Sequence, residues 1–225
     1  MILLLHGALG SEAQFGPIKA LFPPDQPAHS FSFDGHGGIP AREPYAIGLF
    51  VRNTLRQLDL LEIESCNLFG YSMGGYVALQ LALQHPDRVR RIVTLGTKFH
   101  WTPESAAAET RKLDPDAILA KVPRFAAMLE QRHAPLDWRQ VLHSTAALMH
   151  GLGHGQALRT EDLARIPHPV RILIGELDTM VTLAESQAAA AALPQGSLET
   201  IPGLAHPIEQ AAPEQLKAVV LAACA

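Results

Sequence analysis

Residues 70–74 read Gly-Tyr-Ser-Met-Gly, with an apolar run before them and a helix-forming run after. A serine hydroxyl is a poor nucleophile unless its surroundings change it. Glycines two before and two after Ser72 permit a sharp strand-to-helix turn, where larger side chains would collide. Such a turn lifts the hydroxyl above the carboxyl edge of a sheet. It also aims the free N–H groups and positive end of the following helix at the same point. Ser72 then needs a base, and the base needs a carboxylate to orient it. "VRILIGELDTMV" places Asp178 just past a strand, and "ETIPGLAHPIE" places His206 in the loop after the next one. Aspartates after strands are common, and the chain has 11 histidines. The order Ser, Asp, His, with all three past strand ends, gives the set its weight.

A tetrahedral intermediate also needs hydrogen-bond donors. The Met73 amide adjoins the serine. The loop "LLLHGALG" offers the Ala8 amide, with Gly7 permitting close approach. His6 and His36 are read as pinning loops and not as bases. Phe99, Trp101 and Phe125 are the expected substrate-facing aromatics. Gln14 and Phe15 either border an acyl pocket or begin a helix. Lys121 and Arg124 are read as a solvated face. His150 and His154 have helical i, i+4 spacing but no third ligand, so neither a metal nor a cofactor is expected.

The elements that must position these residues alternate. Apolar runs at 2–5, 30–33, 66–70, 91–95, 170–175 and 197–201 predict strands, several apolar on both faces as in a covered parallel sheet. Helical patterns fill 44–61, 73–85, 182–193 and 213–223. This predicts an α/β fold, a mainly parallel sheet of about six strands flanked by helices. Residues 98–165 interrupt the rhythm with helical stretches near 103–113, 115–132 and 137–150. The expected organisation is a core from 1–97 and 166–225 with a helical cap insertion over 98–165.

The chain has 225 residues, 48% of them hydrophobic, and a formal net charge of −4. No basic stripe suggests nucleic acid, and no apolar run approaches the ~20 residues of a membrane span. The opening "MILLLHG" has no positive n-region and is not read as a signal peptide. Cys66 and Cys224 are far apart in sequence and fit reduced thiols in a cytoplasmic protein. Oligomeric state is not legible.

Together "LLLHGALGSEAQF", "FDGHGG", "GYSMGGYVAL", "ILIGELDTMV" and "PGLAHPIE" resemble the α/β-hydrolase superfamily over nearly the whole chain. The resemblance implies a Ser72-His206-Asp178 triad, an oxyanion hole from Ala8 and Met73, and a cap over the site. Two strands that usually precede the "HG" strand are missing, so one sheet edge is expected to be short. The expected activity is hydrolysis of a small ester or thioester through an acyl-enzyme, with a small-molecule ester-like substrate as partner. A C–C bond hydrolase of the same fold is an alternative. So is an elimination enzyme like the menaquinone synthase, although that family generally carries arginine where Tyr76 stands. A non-catalytic ligand-binding protein is the third reading.

Overall fold

Ile2, Leu3, Leu4 and Leu5 are all buried, as a strand covered on both faces requires. The computed structural model of the chain describes residues 1–224, with side chains through Leu221. Strands β1 (Ile2–Leu5), β2 (Ala28–Ser30), β3 (Cys66–Tyr71), β4 (Val89–Leu95), β5 (Val170–Gly175) and β6 (Gly196–Ile201) form one sheet in the order β2-β1-β3-β4-β5-β6. Every neighbouring pair is parallel. All six carboxyl ends therefore meet at one edge, where ligands of open α/β sheets bind.

Ten helices are described: α1 (Gly16–Lys19), α2 (Ile47–Leu60), α3 (Met73–Gln84), α4 (Pro103–Thr110), α5 (Pro115–Lys121), α6 (Pro123–His133), α7 (Trp138–Gly151), α8 (Thr160–Leu163), α9 (Leu183–Ala192) and α10 (Pro213–Cys224). Alternate residues of β1 serve opposite layers, as the two-residue period of a strand dictates. Leu3 and Leu5 pack with Phe50, Val77, Leu81 and Ala189 from α2, α3 and α9. Ile2 and Leu4 pack with Ile18, Leu216 and Val220 from α1 and α10. Between β4 and β5 the described residues contain helices α4–α8 and no strand. There α5, α6 and the start of α7 share a small core of Ile118, Ala126, Leu129, Trp138 and Leu142.

Two elements differ from the sequence expectation. The second strand is Ala28–Ser30, paired with Ile2–Leu4, and not 30–33. The alternation of "SFSF" resembles a strand, but the Phe33 amide leaves the sheet and donates to His6 Nε2 at 3.1 Å. The helix expected over 115–132 is two helices. Pro123 has no N–H and pushes the residue before it out of helical geometry, and Val122 has φ −138° and ψ 60°. Cys66 is buried at the start of β3, while the Cys224 side chain lies outside the described residues. No helix among the described residues is long and apolar enough to cross a membrane.

Candidate active site

The turn from β3 to α3 forces Ser72 to φ 51° and ψ −117°, a backbone state that costs an L-residue about 1–2 kcal/mol. Neighbours hold it there. The Ser72 amide donates to the Leu95 carbonyl at 2.7 Å, and the Thr97 hydroxyl donates to the Ser72 carbonyl at 2.9 Å. The flanking glycines are sterically required. A Cβ on Gly70 would lie 2.3 Å from the Gly75 backbone, and one on Gly74 would lie 2.1 Å from the Leu5 carbonyl oxygen. Glycine at these positions lets α3 pack hard against β1 and β3.

His206 follows β6 and Asp178 follows β5. His206 Nδ1 lies 2.8 Å from Asp178 Oδ2, with the aspartate side chain 1% exposed. A carboxylate oxygen only accepts, so Nδ1 carries a proton, and in the neutral ring the lone pair is therefore on Nε2. The other oxygen, Oδ1, accepts from the Met180 and Val181 amides at 2.8 and 3.0 Å. Burial by itself would raise the Asp178 carboxyl. The hydrogen bond and charge of His206, with the two amides, outweigh it and hold the carboxyl below its ordinary value. Glu176, also past β5, is exposed and accepts from the Gly203 amide at 2.8 Å.

Ser72 and His206 line one cavity with Ala8 and Met73. No hydrogen bond joins Ser72 Oγ to His206 among the described residues; such contacts are often long before substrate arrives. Among those residues, no protein acceptor takes up the Ala8 or Met73 amide. The Gly7 carbonyl, in the same peptide unit as the Ala8 N–H, accepts from the Gly10 amide at 3.1 Å and from His6 Nδ1 at 2.8 Å. In a trans peptide C=O and N–H point oppositely, so those bonds fix the direction of the Ala8 N–H. His6 is buried, and desolvation lowers it to about 3, so it stays neutral. His36 is also buried, and burial holds it well below its ordinary value.

The rest of the cavity is mostly apolar: Ile47, Tyr76, Trp101, Leu148, Met149, Leu152, Met180 and Val181, with Lys98 and Glu109 as its charged members. Glu109 pairs with Lys112 at 2.8 Å. The three expected aromatics separate. Trp101 lines the cavity, its indole N–H held by the Lys98 carbonyl at 3.2 Å. Phe99 lines a neighbouring groove with His100, Leu158 and Glu185. Phe125 is 37% exposed on α6 and lines neither. Lys121 and Arg124 are exposed on α5 and α6. Gln14 donates to Glu209 at 2.7 Å, and Phe15 packs edge-on against Phe69. His154 turns back onto the His150 carbonyl at 2.8 Å.

Other residues at the site had no reading in the sequence. Tyr71 donates its hydroxyl to the His206 carbonyl at 3.0 Å, and its ring packs on the imidazole. Gly96, at φ 61°, lies under the His206–Asp178 pair; a Cβ there would be 3.2 Å from Asp178 Oδ2, His206 Cε1 and His206 Nδ1. The available signal was a glycine closing "RIVTLG", but nothing local says what packs on it.

A parallel sheet with a strained serine turn and a histidine–aspartate pair at its carboxyl edge defines a class. The chain matches the alpha/beta hydrolase fold family over residues 1–208, and it belongs to that family. It is similar to a pimeloyl-[acyl-carrier protein] methyl ester esterase of Aromatoleum aromaticum, 28% identical across 92% of this chain and 93% of the relative. A 2-hydroxymuconate semialdehyde hydrolase of a Pseudomonas species is 44% identical, over only 28% of this chain and 22% of that one. Among solved structures, NosK from Streptomyces actuosus superposes with a TM-score of 0.78 at 23% identity, covering 98% of this chain and 95% of that one. That likeness concerns the fold. The relatives are hydrolases, and a hydrolase is the class this chain falls in.

Proposed function

We propose that the protein is a serine hydrolase of small esters or thioesters. One observation carries the reading: Ser72, held at φ 51° at the head of α3, shares a cavity with a histidine whose Nδ1 is bound to a buried aspartate. His206 Nε2 takes the Ser72 proton as Oγ attacks the carbonyl carbon. The Ala8 and Met73 amides bind the resulting oxyanion. When the carbon–oxygen or carbon–sulfur bond breaks, His206 returns the proton to the leaving alcohol or thiol. A water then repeats the sequence, giving its proton to His206 and its oxygen to the acyl carbon, and Ser72 is restored. Asp178 stays ionised and stabilises the transient imidazolium. The helices between β4 and β5 serve as a cap, and their apolar side chains supply the acyl pocket.

The short likeness to a 2-hydroxymuconate semialdehyde hydrolase supports a second reading, a C–C bond hydrolase using the same residues on a different scissile bond. For the elimination reaction, Tyr76 faces the cavity where that family carries a cation, which disfavours a polyanionic substrate.

The test is a panel of p-nitrophenyl esters of graded acyl length beside acyl-CoA thioesters and a vinylogous 1,5-diketone acid. Ester or thioester turnover should fall by ~10⁴-fold or more in Ser72→Ala, and a fluorophosphonate should label Ser72 alone. Turnover of the diketone acid only would replace the esterase reading with the C–C one. Labelling that survives Ser72→Ala would remove Ser72 as nucleophile.

A further inference from the structure

Leu9 adopts φ 58°, although it is not glycine and has no turn-forming side chain. Such a state costs about 1–2 kcal/mol, so something outside the loop must favour it. Two donors from α6 meet the Leu9 carbonyl: Arg132 Nη1 at 2.9 Å and His133 Nε2 at 3.2 Å. The histidine's role is fixed by its other side, where Nδ1 accepts the Gly37 amide at 3.1 Å. The proton therefore sits on Nε2, which donates to Leu9. Burial, with the Arg132 charge, lowers His133 to about 4 against the opposing pull of the Leu9 carbonyl, so this neutral form prevails at neutral pH.

Arg132 reaches further. Its Nη2 pairs with Glu209 Oε1 at 2.8 Å and touches Met128 Sδ at 3.4 Å. The same Glu209 oxygen accepts from Gln14 at 2.7 Å. Glu209 is three residues past His206, and Gln14 lies just beyond the loop that carries Ala8. One guanidinium, 14% exposed, thus ties the Ala8 loop, the His206 loop and the inserted helices together.

We infer that Arg132 and His133 are positioning residues that hold the turn 7–10 so that its Ala8 amide faces the developing oxyanion. The Gly7 carbonyl anchors one end of this turn and the Leu9 carbonyl the other. The Leu9 carbonyl shares its peptide unit with the Gly10 N–H; freeing the Leu9 end lets that unit rotate, withdraws Gly10 from the Gly7 carbonyl, and so lets the Ala8 N–H turn away from the oxyanion. The inference rests on the serine-hydrolase reading above. An oxyanion donor acts in the transition state, so its misplacement lowers kcat and leaves KM nearly alone.

The experiment compares wild type with Arg132→Met, Arg132→Lys, His133→Phe and His133→Asn. Measured quantities are kcat, KM, melting temperature and the Ki of an alkyl boronic acid, which forms a tetrahedral adduct with the serine. Losing an oxyanion donor outright costs ~10²–10³-fold. A displaced donor should cost about 10- to 100-fold in kcat, with KM within about threefold and the boronate Ki rising in step. Arg132→Lys and His133→Asn should recover part of the loss, since each retains a donor. His133→Asn also leaves the Arg132–Glu209 pair intact, so its effect cannot come from loss of that pair. If His133→Phe does not fold, the two Arg132 variants and His133→Asn decide. Lower melting temperatures with kcat and boronate Ki unchanged would overturn the inference. Losses confined to KM would overturn it as well. A wild type with no Ser72-dependent turnover would sink the hydrolase reading and the inference with it; an active wild type with unaffected variants would sink the inference alone.

Discussion

Gly96→Ala separates backbone strain from damage to the site. Gly96 has φ 61°, where alanine costs about 1–2 kcal/mol. In a domain of this size that lowers the melting temperature by about 2–8 °C. The added Cβ would also stand 3.2 Å from His206 Nδ1, His206 Cε1 and Asp178 Oδ2. Ordinary carbon contacts begin nearer ~3.5 Å, so the pair must retreat by a few tenths of an ångström. A 1 Å misplacement costs ~100-fold, and scaling from that gives roughly a 3- to 10-fold loss of kcat/KM. Gly155→Ala is the matched control. It has φ 95° and nothing within 4 Å of its would-be Cβ, so it should lose comparable stability and keep its activity. Urea titration and steady-state ester kinetics read the two effects separately. Equal stability losses with unchanged kcat/KM in both variants would refute the argument that Gly96 is needed to seat the pair.

Other substitutions and conditions test the remaining assignments. Trp101→Ala should shift relative kcat/KM toward longer acyl chains, each methylene contact being worth ~1–3 kcal/mol, because Trp101 lines the cavity. Phe125→Ala, at an exposed position, should leave chain-length preference and stability unchanged within about 0.5 kcal/mol; the reverse pattern in the p-nitrophenyl series would exchange their places. Stability should fall on mild acidification. His6 and His133 are lowered to about 3 and about 4, and His36 well below its ordinary value, so below pH ~6.5 the unfolded chain binds protons that the folded chain refuses. Each fully buried histidine then contributes a slope approaching about 1.4 kcal/mol per pH unit, stability rising with pH up to ~6.5 and levelling above it. The depressed carboxyls of Asp178 and Glu209 add to this only nearer pH 4. A urea midpoint unchanged from pH 7 to pH 5 would contradict the buried neutral state of these rings.

Much of this architecture is written locally. Four consecutive buried residues in "ILLL", the paired glycines around Ser72, and an aspartate and a histidine just past strands each depend on the conformation of a few neighbouring residues. Chain alternation then forces the strand ends to one edge, because parallel strands joined by crossovers all point the same way. The strand at Ala28–Ser30 and the break at Pro123 are not legible locally, because the first depends on a partner, His6, far away in sequence, and the second on a proline outweighed by a long helical pattern. Tertiary structure alone decided which side chains of the inserted helices meet the cavity. Trp101, Phe99 and Phe125 look alike in sequence, yet one lines the cavity, one a neighbouring groove and one faces solvent. It also decided that Gly96 underlies the His206–Asp178 pair and that Arg132 and His133 reach back 123 and 124 residues to Leu9. Periodicity specifies which face of a helix is apolar. It carries no information about what that face packs against, because packing depends on how α4–α8 settle on the sheet edge.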